Sequence, residues 1–154
     1  MGSFATAVQS RLRERLAALR PRFDWETEHH VADTPVDVAG RADGHVALVE
    51  LEWRRADPAN NTAKLFRYLD EEALAADVVD VFQLFTGYYD LVSGGVSSKR
   101  LNAEFVGRVG TRALDSFRYR AVDFALDPPK RGGDRPADWE AVTDATAREI
   151  AEQL

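Results

Sequence analysis

The chain has 154 residues, 45% hydrophobic and 30% charged, a composition that fits one globular domain with an adequate core and leaves no room for a second catalytic module. Cysteine is absent, which excludes disulfides, thiolate zinc sites, iron–sulfur clusters and a cysteine nucleophile. Twenty basic against 26 acidic residues give a net charge of −6, a balance that argues against coating nucleic acid and against binding a membrane surface.

At the N-terminus, residues 1–6 lack the basic-then-apolar layout of a signal peptide, and no apolar run approaches the ~18 residues of a membrane span, so a cytoplasmic protein with no membrane partner is expected. Val8, Leu12, Leu16 and Leu19 recur at helical spacing before Pro21, predicting an amphipathic helix over about 4–20. Residues 25–31 and 36–39 read as strands. Asp43-Gly44 is a pair favoured in two-residue hairpin turns whose central positions take positive φ. The strand leaving it, 45–53, is apolar on both faces until its acidic end, as a central strand covered on both sides reads.

Asp57-Pro58 and Asn60-Asn61-Thr62 supply helix-start chemistry for a second helix over about 59–75. Residues 78–85 form a β-branched and aromatic strand that Gly87 ends, and Ser93-Gly94-Gly95 marks a turn. Leu101, Phe105 and Val109 then predict the buried face of a third helix reaching about 113. Residues 119–126 read as a strand, 127–136 as a Pro- and Gly-containing loop, and Trp139, Val142, Ile150 and Leu154 as a closing helix. The expected class is α/β: a central mixed sheet in the order α β β β α β α β α with helices on both faces, in a single domain spanning 1–154. The core would cover about 4–86 and a C-terminal α β α extension about 96–154. There is no internal repeat.

Chemistry concentrates where the hairpin register brings acids together. With Asp43 and Gly44 as the turn, paired positions sum to 87, so Asp37 falls opposite Glu50 on the same face. Glu52 shares that face with Glu50, and Asp37 is its diagonal neighbour within ~7 to 8 Å. Like charges opposite each other in a sheet are destabilising, and the flanking Val36, Val38, Val49, Leu51 and Trp53 promise burial. A hard divalent cation with oxygen ligands would neutralise them. The alternative is an exposed acidic strand end, or acids paired with Arg41, Arg54 or Arg55.

These residues resemble the PD-(D/E)xK nuclease superfamily with its restriction-endonuclease-like fold. Pro35-Val36-Asp37 is similar to the PD element with one residue inserted, and Glu50-Leu51-Glu52 to the (D/E)xK element. The resemblance covers about 4–86, where a helix, a three-stranded meander, a helix and a strand follow in the family's order. It implies that Asp37 and Glu50 bind Mg2+ or Mn2+. Glu52 stands where the family usually has a lysine that orients or activates the attacking water; some restriction endonucleases carry Glu-x-Glu there. In other members that lysine lies on the following helix, a part that Lys64 matches. The family's glutamate from the first helix corresponds to Glu14, with Glu28 as runner-up. The implied activity is metal-dependent endonuclease hydrolysis of phosphodiesters, most simply in DNA. The competing expectation is a degenerate member serving as a nucleic-acid-binding or assembly subunit.

Asn60, Lys64 and Arg67 share one helix face, directed either at the acids or at solvent. His29 and His30, adjacent on a strand, point to opposite faces, so at most one can join any site. Tyr88-Tyr89 stacks on bases or caps the sheet. The chain has no GxxxxGK[ST], GxGxxG or GxSxG motif, leaving P-loop, dinucleotide-binding and α/β-hydrolase chemistry without support.

Charge is distributed unevenly. Asp70, Glu71, Glu72, Asp77, Asp80 and Asp90 fall in one stretch with no Lys or Arg, whereas Lys99, Arg100, Arg108, Arg112, Arg118 and Arg120 face only Glu104 and Asp115 in another. This predicts an acidic surface turned away from nucleic acid and a basic one toward it, with Arg54, Arg55, Lys99, Arg100, Arg108 and Arg112 as contacts. A homodimer with C2 symmetry is expected, since one site cuts one strand and two antiparallel strands need two.

Overall fold

The computed structural model describes residues 2–71 and 76–154. Helix α1 spans Ser3–Leu19 and buries Val8, Leu12 and Leu16 completely. Strands β1 (Asp24–Val31), β2 (Thr34–Ala42) and β3 (His45–Glu52) form an antiparallel meander. Helix α2 spans Pro58–Glu71, and Asp57 accepts the Asn60 backbone N–H at its start. The expected extension of this helix over 72–75, and Glu72 itself, lie outside the described residues. Strand β4 (Val78–Phe85), helix α3 (Ser98–Ala113), strand β5 (Phe117–Asp123) and helix α4 (Trp139–Glu152) complete the chain.

The five strands lie in one mixed sheet in sequence order, with β3, β4 and β5 parallel to one another. One face carries α1 and α4 over Trp25, Val38, Val49, Leu51, Phe82 and Leu84. The other carries α2 over Val36, Leu48, Val79 and Val81, with α3 packed beside α2. Arg11 and Arg15 both grip Asp144 across α1 and α4, Arg11 at 2.7 Å, and hold its carboxyl down to about 2. The C-terminal segment is therefore integral to both layers: β5 extends the sheet and α4 returns onto α1. Among the described residues no helix is long and apolar enough to cross a membrane.

Four expectations need correction. The element order contains a 3-10 turn, Gly87–Tyr89, between β4 and α3, where the sequence offered only a strand end. Thr86 is extended, and its side chain accepts the Tyr88 N–H, which closes that turn. In the β2–β3 hairpin, only Gly44 of the turn pair takes positive φ, at 70°. Its carbonyl accepts the Asp77 and Val78 N–H groups, so the start of β4 holds the turn from outside.

Helix α3 is rotated relative to expectation. Leu101, Phe105 and Val109 are exposed, while Arg100, Ala103 and Gly107 are buried. A Cβ at Gly107 would run into the Tyr119 ring, and one at Gly110 would lie 2.7 Å from Phe66. Small residues face inward because aromatic rings from α2 and β5 already fill that space.

The two charged stretches, finally, are not wholly separate: one acid of the first is paired with two arginines of the second. The parallel register sets Asp80 opposite Arg118. Asp80 is fully buried and paired with Arg118 at 2.7 Å, Arg120 at 3.1 Å and His45 at 2.6 Å. Arg100 is likewise consumed internally, by Asp123 at 2.6 Å and Glu104 at 2.9 Å, so it is no free nucleic-acid contact.

Candidate active site

The β2–β3 ladder runs with the 87-sum register from Ala42↔His45 to Val38↔Val49 and ends there. Asp37 and Glu50 are the next positions, and they meet through an interruption of the pleat rather than by continuing it. Trp25 and Val38 belong to the core under α1, whereas Val31 and Val36 belong to the core under α2. Strict alternation would put Trp25 with Val31 and Val36 with Val38. Both strands thus exchange faces between these positions, and Glu28, with φ 54°, sits at the exchange. Non-glycine residues in that region carry strain that concentrates at functional sites.

At this break the Asp37 side chain replaces ladder hydrogen bonding. One carboxylate oxygen accepts the Leu51 backbone N–H at 2.7 Å and the other accepts Gln9 Nε2 at 2.5 Å. Its carboxyl is also hydrogen-bonded to that of Glu50. Burial raises the pKa of Asp37, against the lowering effect of the Leu51, Glu50 and Gln9 hydrogen bonds. Burial raises Glu50 much further, reinforced by the Asp37 charge, the hydrogen bond to Asp37 and the Glu52 charge. Of the two, Glu50 is raised the more, so it is the carboxyl that binds a proton more readily and the donor side of its hydrogen bond to Asp37.

Glu52 is differently placed. It is 0% exposed, and one oxygen accepts Asn61 Nδ2 at 2.6 Å and Gln83 Nε2 at 2.9 Å. Its other oxygen has no hydrogen-bond partner and lies 3.4 Å from Arg55 Nε. Burial raises its pKa against the pull of Asn61, Gln83 and Arg55. Gln83 is itself fixed by Thr62 at 2.9 Å and Tyr119 at 2.6 Å.

Asp37 and Glu50 open into a cleft of about 530 Å³ that is also lined by Glu28, Arg54, Arg55, Asn61 and Lys64. Lys64 is thus brought to the acids, while Asn60 and Arg67 line a separate depression with it. Glu14 is not brought in: its side chain is 65% exposed and its neighbour is Arg13. It stands five residues from Gln9, about 140° around the helix, so α1 meets Asp37 with Gln9 instead. His29 pairs with Glu26, and neither histidine of the His29-His30 pair lines the cleft. Arg108 and Arg112 are exposed on α3.

Three contributors were not singled out in the sequence. Gln9 carried a signal, as a polar residue at i, i+3, i+7 with Leu12 and Leu16 on the buried stripe. Asn61 and Gln83 carried none beyond residue type. Among the described residues no group of three or more His, Asp or Glu side chains is spaced to hold a metal ion. The paired carboxyls of Asp37 and Glu50 are an all-oxygen set that fits Mg2+, which typically takes one or two carboxylates and completes its shell with water and phosphate oxygens. In comparisons with protein-family models, curated proteins and solved structures, nothing matches the chain.

Proposed function

We propose that the protein is a divalent-metal-dependent nuclease of the restriction-endonuclease-like type, hydrolysing phosphodiester bonds, most simply in DNA. The observation that carries this reading is the Asp37–Glu50 pair: a half-buried and a buried carboxyl brought into contact at a break in the sheet, opening into a cleft rimmed by Arg54, Arg55 and Lys64. Costly charge clusters of this kind are tolerated where they do chemistry. The helix, meander, helix and strand over α1 to β4, with one acid within β2 and two at the end of β3, also support the family resemblance.

When bound by Asp37 and Glu50, Mg2+ or Mn2+ supplies charge neutralisation at the scissile phosphate and acidifies the attacking water. Gln9 and the Leu51 N–H orient the Asp37 carboxylate for that task. Lys64 lines the cleft and is the group that positions the water. Glu52 does not line it, and with one oxygen held by Asn61 and Gln83 it acts as a positioning residue for Arg55. Arg54 and Arg55 receive the phosphate backbone.

The burial of Glu52 favours one second reading, a degenerate nuclease fold that binds nucleic acid or assembles without cutting it. Incubation of supercoiled plasmid with protein and Mn2+ separates the two. Nicked or linear product is expected from the wild type and none from Glu50→Gln or Asp37→Asn. Plasmid left intact by the wild type at all metal concentrations would overturn the nuclease reading and leave the binding one.

A further inference from the structure

Beside the carboxylate cleft, the 3-10 turn exposes an aromatic ring between two unneutralised cations. Tyr88 is 38% exposed and stands edge-on against the fully buried Tyr89, with ring centroids 5.1 Å apart. The Arg54 guanidinium lies 5.6 Å from the Tyr88 centroid, and Lys99 Nζ lies 5.1 Å from it, donating to the phenol oxygen at 3.1 Å. Among the described residues neither cation has a carboxylate partner; Arg54 is steadied by the Pro128 carbonyl at 3.1 Å. The other cations of the basic stretch differ: Arg100, Arg118 and Arg120 are consumed by internal acids. Arg108 and Arg112 share α3 with the exposed Leu101, Phe105 and Val109, an apolar surface ill suited to phosphate.

The turn is fastened to the end of the acidic strand. Thr86 Oγ1 donates to the Trp53 carbonyl at 2.6 Å. The Tyr89 hydroxyl accepts the Arg55 N–H at 2.8 Å and faces its carbonyl at 3.3 Å. Burial pushes that hydroxyl's pKa up to about 12, so it stays protonated. Arg54 belongs to both places, since it also lines the cleft with Asp37 and Glu50. A strand whose phosphate sits at the acids therefore has a rigid aromatic group and two cations next along its path.

We propose that Tyr88, Arg54 and Lys99 form a platform for a nucleotide flanking the bond to be cut, with the cations taking its phosphate and the ring taking its base. A base inside a continuous duplex cannot present its face to a side chain, so the preferred substrate is nucleic acid with a single-stranded segment at this position. The proposal deepens the nuclease reading and rests on it for the position of the scissile phosphate. It has its own readout in binding.

The test is fluorescence anisotropy of a labelled oligothymidylate and of a blunt duplex with the Glu50→Gln protein in Mg2+, so that binding is read without cleavage. Single strand should bind more tightly than duplex. Tyr88→Ala should weaken single-strand binding about tenfold, while Tyr88→Phe, which keeps the ring, should retain it. Arg54→Ala with Lys99→Ala should weaken binding and reduce the log–log salt slope by ~1 to 2, whereas Arg108→Ala with Arg112→Ala should leave both unchanged. A Tyr88→Ala protein that melts like its parent and binds undiminished would overturn the platform, as would duplex preferred over single strand or no binding to either. Plasmid cleavage persisting with Tyr88-independent binding would sink the platform and spare the nuclease; Tyr88-dependent binding by a wild type that cuts nothing would do the reverse.

Discussion

In the folded chain Glu50 holds its proton to higher pH than in the unfolded one, because burial and the Asp37 carboxylate both oppose its charge. Above its ordinary value of 4.5, the unfolded state has released a proton that the native state still binds, so stability falls as pH rises through the folded value and then levels. The metal-free protein should thus lose melting temperature on going from about pH 5 to about pH 8. Glu50→Gln should flatten that slope without abolishing it, since Asp37 and Glu52 are raised in the same direction. On the proposal that Asp37 and Glu50 hold Mg2+, the ion must displace the Glu50 proton, so the melting temperature it adds should grow with pH and vanish in Glu50→Gln. Equal metal-induced shifts in wild type and variant would refute the assignment. At this scale the pairing of Asp37 with Glu50 was legible only in part: the turn at Asp43-Gly44 sets the register as far as Val38 opposite Val49, and the two acids meet beyond it, where the pleat breaks. The face exchange at Glu28 was not legible, since nothing in a glutamate announces left-handed backbone. The choice of Asn61 over Asn60 as the partner of Glu52 depends on helix phase to within one residue, finer than apolar spacing resolves.

For the elements, the strands and helices were legible from periodicity to within a few residues, but the orientation of α3 was not. Counting hydrophobic residues selects Leu101, Phe105 and Val109 as its inner face; the fold selects Arg100, Ala103 and Gly107 because Phe66 and Tyr119 already occupy the space beneath. The same limit explains the charge reading, since sequence sums cannot foresee that a parallel β4–β5 pair carries Arg118 onto Asp80. Close approach at Gly107 makes a prediction opposite to helix propensity. Alanine in place of an interior helix glycine normally adds about 1 kcal/mol, whereas overpacking a filled contact costs about 1 to 3 kcal/mol. Tyr119 cannot swing aside freely, because its hydroxyl is bound to Gln83 at 2.6 Å. Gly107→Ala should therefore lower the urea midpoint, and in Tyr119→Ala the same substitution should cost less. A higher midpoint for Gly107→Ala in the wild-type background would mean that α3 does not press on β5.

Over the whole molecule, both sheet faces are covered by helices, and a regular apolar surface remains on the outside of α3. Leu101, Phe105 and Val109 are 51%, 59% and 43% exposed and recur at i, i+4 and i+8 as one stripe. The stripe is symmetric about Phe105, so a second copy packed antiparallel on it would place Leu101 against Val109 of the partner subunit and Phe105 against its equivalent. That self-complementarity is what a C2 interface requires. The same pairing sets Arg108 near Asn102 of the partner subunit and Arg112 near Ser98 of the partner subunit, so no like charges face each other. This is a ground for a homodimer that does not depend on the form of nucleic acid bound. Sedimentation of the wild type should give a dimer, and Phe105→Glu a folded monomer whose melting temperature no longer depends on protein concentration, because the ring it replaces is mostly outside the core of its own chain. If two sites act on opposite strands, wild type should convert supercoiled plasmid to linear product, while Phe105→Glu should accumulate nicked circles at a similar rate of first cutting. A wild type that sediments as a monomer at every concentration, or a Phe105→Glu protein that remains dimeric, would remove α3 from the interface.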